Sequence, residues 1–96
     1  MSPERASAYR RVMHTLVELG PSKLLDEEQE RVRSAADALI FSHEPLDDEA
    51  RDALTDTQTL CRALIESGRW QEPTAKRLAE DVAACGPERP EALQAA

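Results

Sequence analysis

The chain has 96 residues, enough for one small domain with one hydrophobic core. Asp and Glu number 19 against 12 Lys and Arg, and the net charge of −7 argues against a nucleic-acid-binding protein, which usually carries a basic face. No apolar run approaches the roughly 18 residues of a transmembrane helix. The polar N-terminus has no secretory signal. These features predict a soluble cytoplasmic domain.

The first segment opens with Ser2 and Pro3, which are residue types that favour the start of a helix. Apolar residues then recur at intervals of three and four, which places them on one helical face: Tyr9, Val12, Met13, Leu16 and Leu19. Gly20 followed by Pro21 is a typical helix stop. The pattern therefore predicts a helix over residues 3–19.

The second segment begins with Asp26, which together with Gln29 resembles a capping box. Its apolar stripe contains residues spaced by seven, flanked by alanines: Leu25, Val32 and Leu39, with Ala35, Ala36 and Ile40. Glu44 and Pro45 close the stripe. The sequence predicts a helix over residues 26–43.

The third segment carries a stripe of small and apolar residues that ends before Gly68. Thr55 with Gln58 could start a second helix within it, but the continuous stripe favours one helix over residues 48–67. In the fourth segment Thr74 is a candidate N-cap. The sequence predicts the last helix over residues 74–85.

Short connections between four amphipathic helices predict an all-α, up-down four-helix bundle. The domain covers residues 1–86, and residues 87–96, with two prolines and little to bury, are expected to form a frayed tail. Trp70 lies between the last two helices and is expected to close one end of the bundle. The predicted core comprises Tyr9, Val12, Met13, Leu16, Leu25, Val32, Ala36, Leu39, Ile40, Leu54, Cys61, Leu64, Leu78 and Val82.

Charge is unevenly distributed, with a net charge of +2 over residues 1–23 and −8 over residues 24–56. We expect this contrast to help pair the first two helices. The alternative interpretation is that Arg10 and Arg11 form a basic face that docks an acidic partner or a phosphate backbone.

No pattern of chemistry-bearing residues predicts a metal site, a cofactor site or an enzyme. His14, His43, Cys61 and Cys85 are isolated, without the close pairing that puts two ligands on one helical face. The sequence has no glycine-rich phosphate loop and no nucleophile motif. We expect free thiols, with Cys61 acting as a small buried hydrophobe.

The sequence therefore predicts a non-catalytic protein–protein interaction or regulatory module that forms a homodimer. Leu, Ile, Val and Phe make up only 18 of the 96 residues, so a second chain would add burial that one core lacks. Phe41, Val17 and Ile65 widen the apolar stripes of their helices. Trp70 is a candidate interface anchor, and Arg10 and Arg11 form the basic face. The candidate partner-binding residues are Phe41, Ile65, Trp70, Val17, Arg10 and Arg11.

Two other functions remain open. Residues 60–85 have the outline of a helix-turn-helix, which would make the protein a DNA-binding regulator. Its second helix, however, carries Glu80 and Asp81 beside Lys76 and Arg77, a poor match to a phosphate backbone. The third possibility is a helical bundle that binds a small molecule.

Overall fold

The computed structural model describes residues 3–42 and 48–86. Within these ranges the chain forms four helices and no strand, which confirms the predicted all-α bundle. They are α1 (Pro3–Lys23), α2 (Asp26–Ile40), α3 (Asp48–Glu66) and α4 (Glu72–Ala84). None of them combines the length and the apolarity needed to cross a bilayer. Ser2, His43 and the predicted tail at 87–96 lie outside the described residues.

Hydrogen bonds at the helix ends show in which direction each helix runs relative to its neighbours. Arg5, near the start of α1, reaches backbone carbonyls at the ends of α2 and α4. Glu28, near the start of α2, contacts Arg69 just beyond the end of α3. Sequential helices therefore run antiparallel. α1 and α3 each pack on α2 and α4, and α2 and α4 also meet across the centre of the bundle.

The core is built from one stripe of each helix, largely as the periodicity predicts. Three of the predicted core residues, Tyr9, Met13 and Leu54, are half-buried and pack against it. Buried alanines on the facing surfaces let the helices approach closely, which suits a chain with few large apolar residues. The largest fully buried side chains are Leu39, Leu64, Leu78, Val12, Val32, Val82 and Cys85.

The predicted end of α1 is wrong, because the helix continues through Gly20 and Pro21 to Lys23. A proline inside a helix loses one backbone hydrogen bond, and tertiary contacts at the end of α1 offset that cost. The carbonyl of Lys23 accepts hydrogen bonds from the side chains of Arg69 and Trp70, at 3.2 and 3.1 Å.

The core residue that follows α1 also differs from the prediction. Leu24, the first residue after the helix, is buried, whereas Leu25 is 59% exposed. Leu25 is the N-cap of α2 and has an extended backbone conformation, so the helical periodicity that places the core stripe inward does not apply to it. The predicted inward position of Leu25 is therefore wrong.

The first residues of α1, α2 and α3 agree with the prediction, and the boundaries that remain besides the end of α1 differ from it by one to three residues. α2 ends at Ile40 rather than at residue 43. α3 is one helix, as predicted, and ends at Glu66. α4 begins at Glu72 instead of Thr74, since Pro73 fits the first turn, where a missing N–H breaks no helical bond.

The start of α2 uses a different capping residue from the one predicted. Glu28, not Gln29, accepts the backbone N–H of Leu25, at 2.8 Å. The reason is register: with Leu25 rather than Asp26 as the N-cap, Glu28 occupies the third helical position, from which a carboxylate reaches back.

Candidate functional site

A concave surface runs between α2 and α3, and we call it the α2–α3 groove. Its floor consists of alanines, of which Ala35 and Ala53 are buried and Ala38 is half-buried. Acidic side chains stand on both rims. The groove is lined by Glu27, Glu30, Arg31, Ser34, Ala35, Ala38, Glu49, Asp52, Ala53 and Asp56.

Helical periodicity explains why these residues share one surface. On α2 the lining positions fall at intervals of three and four from Glu27 to Ala38, and on α3 they do so from Glu49 to Asp56. Each stripe lies beside the core stripe of its helix. Small residues at the inner edge of both stripes leave the space that forms the groove.

Arginines pair with rim carboxylates of the α2–α3 groove, among them Asp56 and Glu30. The Arg31 guanidinium donates to both oxygens of Asp56, at 2.7 Å from Nη2 and 3.3 Å from Nε, and so ties α2 to α3. Hydrogen bonding to Asp56 raises the pKa of Arg31. Glu30 lies 3.6 Å from Arg33. The lining holds five carboxylates and one arginine, and with Arg33 beside it the groove still carries a surplus of negative charge.

Phe41 extends the α2–α3 groove at one end. A neighbouring hollow is lined by Asp37, Ala38, Phe41, Ser42 and Glu49, and it shares Ala38 and Glu49 with the groove. The Phe41 side chain is 74% exposed. The groove therefore has acidic rims, an alanine floor and an exposed aromatic ring at one end.

The structure does not gather the other apolar candidates around Phe41. Val17 is 75% exposed on α1. It lies 12 residues beyond Arg5, which contacts the carbonyl of Ser42, so about 18 Å of helix separates it from the Phe41 end. Ile65 is half-buried against the core.

Trp70 closes one end of the bundle, as expected. Its side chain is only 6% exposed, and its Nε1 donates to the carbonyl of Lys23. An indole in this position offers almost no surface to a partner. Its role in the fold is to hold the loop between α3 and α4 on the end of α1.

The basic candidates lie on the opposite side of the bundle, on α1. Arg10 and Arg11 are exposed, and Arg11 donates to Asp81 of α4 at 2.9 Å. Arg11 of α1 thus pairs with an acidic residue of α4, whereas the sequence predicted that the charges of α1 would pair with those of α2. Between α1 and α2, the hydroxyl of Tyr9 donates to Asp37 at 2.5 Å, and Arg5 donates to the carbonyls of Leu39 and Ile40.

Charge differs strongly between the two sides. α2 and α3 together carry ten acidic and four basic residues, whereas α1 and α4 carry five acidic and six basic ones. On α4, Lys76 and Arg77 are exposed, as are Glu72 and Glu80. The mixed charge of α4 gives the helix-turn-helix interpretation no strongly basic surface.

Sequence reasoning missed two arginine clusters that fasten the ends of the bundle. Arg5 donates to four carbonyls, those of Leu39, Ile40, Ser42 and Cys85, at 2.8–3.0 Å. Arg69 holds both oxygens of Glu28, at 2.7 and 2.9 Å. One signal for Arg5 was available: a basic residue is unfavourable in the first turn of a helix unless it reaches outside it.

Both cysteines are buried and unbridged. Burial raises the pKa of the Cys61 thiol, and burial raises that of Cys85 to about 11. Both thiols are therefore protonated at neutral pH and are weak nucleophiles. Across residues 3–42 and 48–86, no three His, Cys, Asp or Glu side chains form a group that could hold a metal ion.

Comparison of the chain with protein-family models, with curated proteins and with solved structures finds no match. The chemistry of the surface is thus the basis for any functional argument. An acidic groove with an apolar floor attracts cationic, partly apolar ligands and repels phosphate.

Proposed function

We propose that the chain is a non-catalytic protein-binding module and that the α2–α3 groove with Phe41 is its binding surface. The observation that supports this most is the continuity of the groove with an exposed aromatic ring. A large exposed apolar side chain beside a concave surface is typical of an interface anchor.

Energetics favour a macromolecular partner for this surface. Covering a Phe side chain stabilises a complex by about 1.5–3 kcal/mol, and Phe41 has most of its side chain in water. The acidic rims would orient a partner and speed its association more than they would add affinity. Free, buried thiols fit a reducing compartment, and we therefore propose a cytoplasmic partner.

A second copy of the chain is the second candidate partner. The exposed Phe41 of one copy can pack on the Phe41 of a second copy across a two-fold axis, and such a contact between like surfaces closes at two chains. If this homodimer forms around Phe41, sedimentation equilibrium will give twice the chain mass. Phe41→Asp will shift the protein to monomer. A single-chain mass at tens of micromolar protein would eliminate this candidate.

Site-specific crosslinking in the cell of origin tests the proposal. Ser34, an exposed residue of the groove, is replaced by p-benzoylphenylalanine, and Ala83, an exposed residue of α4, is replaced in the matched control. We expect a discrete protein adduct from position 34 and none from position 83. An adduct of twice the chain mass would identify the second copy.

Reconstitution with the purified adduct partner completes the test. Binding should weaken when Asp52 is changed to Lys and persist when Glu80 is changed to Lys. Equal crosslinking from positions 34 and 83, or none from position 34, would show that the α2–α3 groove is not the binding surface.

A further inference from the structure

We infer that the element which binds the α2–α3 groove is a basic amphipathic α-helix of the partner. This inference rests on the proposed function, and it adds the chemical class of the ligand. Three properties of the groove carry it: the size of its floor residues, its length and the placement of its carboxylates.

The floor favours a helix because its residues are small. Ala35, Ala38 and Ala53 carry only methyl groups, so a third helix laid between α2 and α3 can approach closely. The separation of packed helices is set by the side chains at their contact. The residue span from Glu27 to Phe41 corresponds to about 21 Å, which matches a helix of about 14 residues.

The rims favour a cationic helix. Glu27 and Glu30 stand on the α2 rim, and Glu49 and Asp52 stand on the α3 rim. A helix with an apolar stripe on the alanine floor would present its two flanks to these carboxylates. Lys and Arg on both flanks therefore complement the groove, as charged flanking positions do in coiled coils.

Other macromolecular ligands fit this surface less well. An extended peptide adds to a sheet edge, and the described residues contain no strand. A polyproline segment needs a groove lined by several aromatic rings, whereas Phe41 is the one aromatic residue among the described residues that line this surface. Nucleic acid would bring phosphates against the carboxylates.

The test uses two synthetic peptides with identical composition. The first has Ala and Leu at helical spacing with Lys and Arg on both flanks, over about 14 residues. The second is a scramble in which the apolar spacing is lost. We expect calorimetry at physiological salt to detect binding of the first peptide alone, with NMR shifts confined to the groove and Phe41.

Matched variants separate the groove from general attraction. Glu30→Lys with Asp52→Lys should weaken binding at least about tenfold. Glu18→Lys with Glu80→Lys changes the net charge equally on α1 and α4 and should leave binding unchanged. Ala38→Phe fills the floor without a charge change and should also abolish binding, whereas Ala83→Phe should not. Circular dichroism verifies that each variant is folded.

The outcomes distinguish this inference from the proposed function. Equal binding of both peptides, or equal loss in both charge-reversal pairs, would overturn the helix assignment, because diffuse charge would explain the data. A partner crosslinked at position 34 but no peptide binding would overturn the helix class and leave the binding module. If neither a crosslink at position 34 nor peptide binding is detected, both the helix assignment and the binding module would be overturned.

Discussion

At the end of the bundle where α1 begins, Arg5 donates to carbonyls that close α2 and α4. At the opposite end, Arg69 binds the carboxylate of Glu28 and the carbonyl of Lys23. Both arginines fasten elements distant in sequence. Within the described residues, the acceptors that Arg5 reaches at the ends of α2 and α4 are uncharged backbone carbonyls, whereas the principal acceptor of Arg69 is a carboxylate that can be protonated.

This difference separates the response of the two ends to pH. The last carbonyls of a helix lack partners within the helix and lie at the negative end of its dipole, and the positive charge and hydrogen bonds of Arg5 compensate both deficits. These carbonyl acceptors do not titrate. The hydrogen bond from Arg69 lowers the pKa of Glu28. The Arg69 end therefore depends on an ionised carboxylate.

The largest expected effect comes from Arg5→Met, which keeps an apolar stem and removes all four hydrogen bonds to carbonyls. We expect a loss of about 3 kcal/mol in the free energy of unfolding, because hydrogen bonds from a charged donor contribute more than those from a neutral one. Urea denaturation measures it. Arg10→Met is the matched control on an exposed face, and an equal loss there would show that Arg5 fastens nothing.

Glu28→Gln is expected to destabilise less, since Arg69 is partly exposed and solvent can replace its partner. The diagnostic is the pH dependence. A lowered pKa stabilises the fold above the ordinary glutamate value of 4.5, and that contribution is lost as pH falls toward the lowered value. The variant should flatten acid denaturation in this window, while Glu18→Gln should not.

Trp70 provides a local signal for the same end. It is the only tryptophan, and its indole lies beside Lys23 and follows Arg69. If the two ends respond independently to acid, Trp70 fluorescence will change at a higher pH than helical circular dichroism. Coincident transitions would mean that the bundle loses both ends together.

One turn inward from Arg5, Tyr9→Phe tests the opposite pH limit. The hydrogen bond to Asp37 raises the pKa of Tyr9 above 10.0, so its stabilisation is complete below that pH and is lost as pH rises through the raised value. We expect a loss of about 1 kcal/mol at neutral pH. Alkaline denaturation should also become shallower.

Cys85 at the same end complicates the alkaline measurement. Its pKa of about 11 also lies above the ordinary thiol value, so ionisation of Cys85 destabilises the fold over a similar range. Alkaline denaturation of Tyr9→Phe is therefore compared with that of Tyr9→Phe in a Cys85→Ser background. An alkaline slope unchanged by Tyr9→Phe in both backgrounds would contradict the role of the hydroxyl.

Periodicity predicted the four helices because each core stripe is a local pattern. It failed at Gly20 and Pro21, where local chemistry favours a stop but distant contacts from Arg69 and Trp70 hold the carbonyl of Lys23. A local sequence pattern does not predict contacts with residues that are distant in the sequence. The position of Leu25 was wrong for the same reason, since it depends on where α1 ends.

Prediction of the candidate site from sequence was less successful. Phe41 was recognised because it falls outside its core stripe, and its exposure agrees with that pattern. The negative charge of residues 24–56 was interpreted as a contrast that helps to pair the first two helices. The acidic residues of α2 and α3 face each other across the alanine floor because of how the two helices pack. The charge pattern of either helix alone does not predict that packing.

The smallest expected effects distinguish the glycines of the two ends. Gly68 has a φ of +76° and open space where a Cβ would lie, so its requirement is conformational. The turn it makes lets the N–H groups of Arg69 and Trp70 reach the carbonyl of Leu64. Gly68→Ala should cost about 0.5 kcal/mol, since left-handed strain is partly offset by a less flexible unfolded chain.

At the Arg5 end, Gly86 is limited by space. A Cβ there would lie 3.0 Å from Cδ2 of the fully buried Leu39. Asn tolerates left-handed backbone better than Ala but is larger. We therefore expect Asn to destabilise less than Ala at position 68 and more than Ala at position 86, in parallel urea denaturation. The same rank order at both positions would show that one kind of constraint governs both ends.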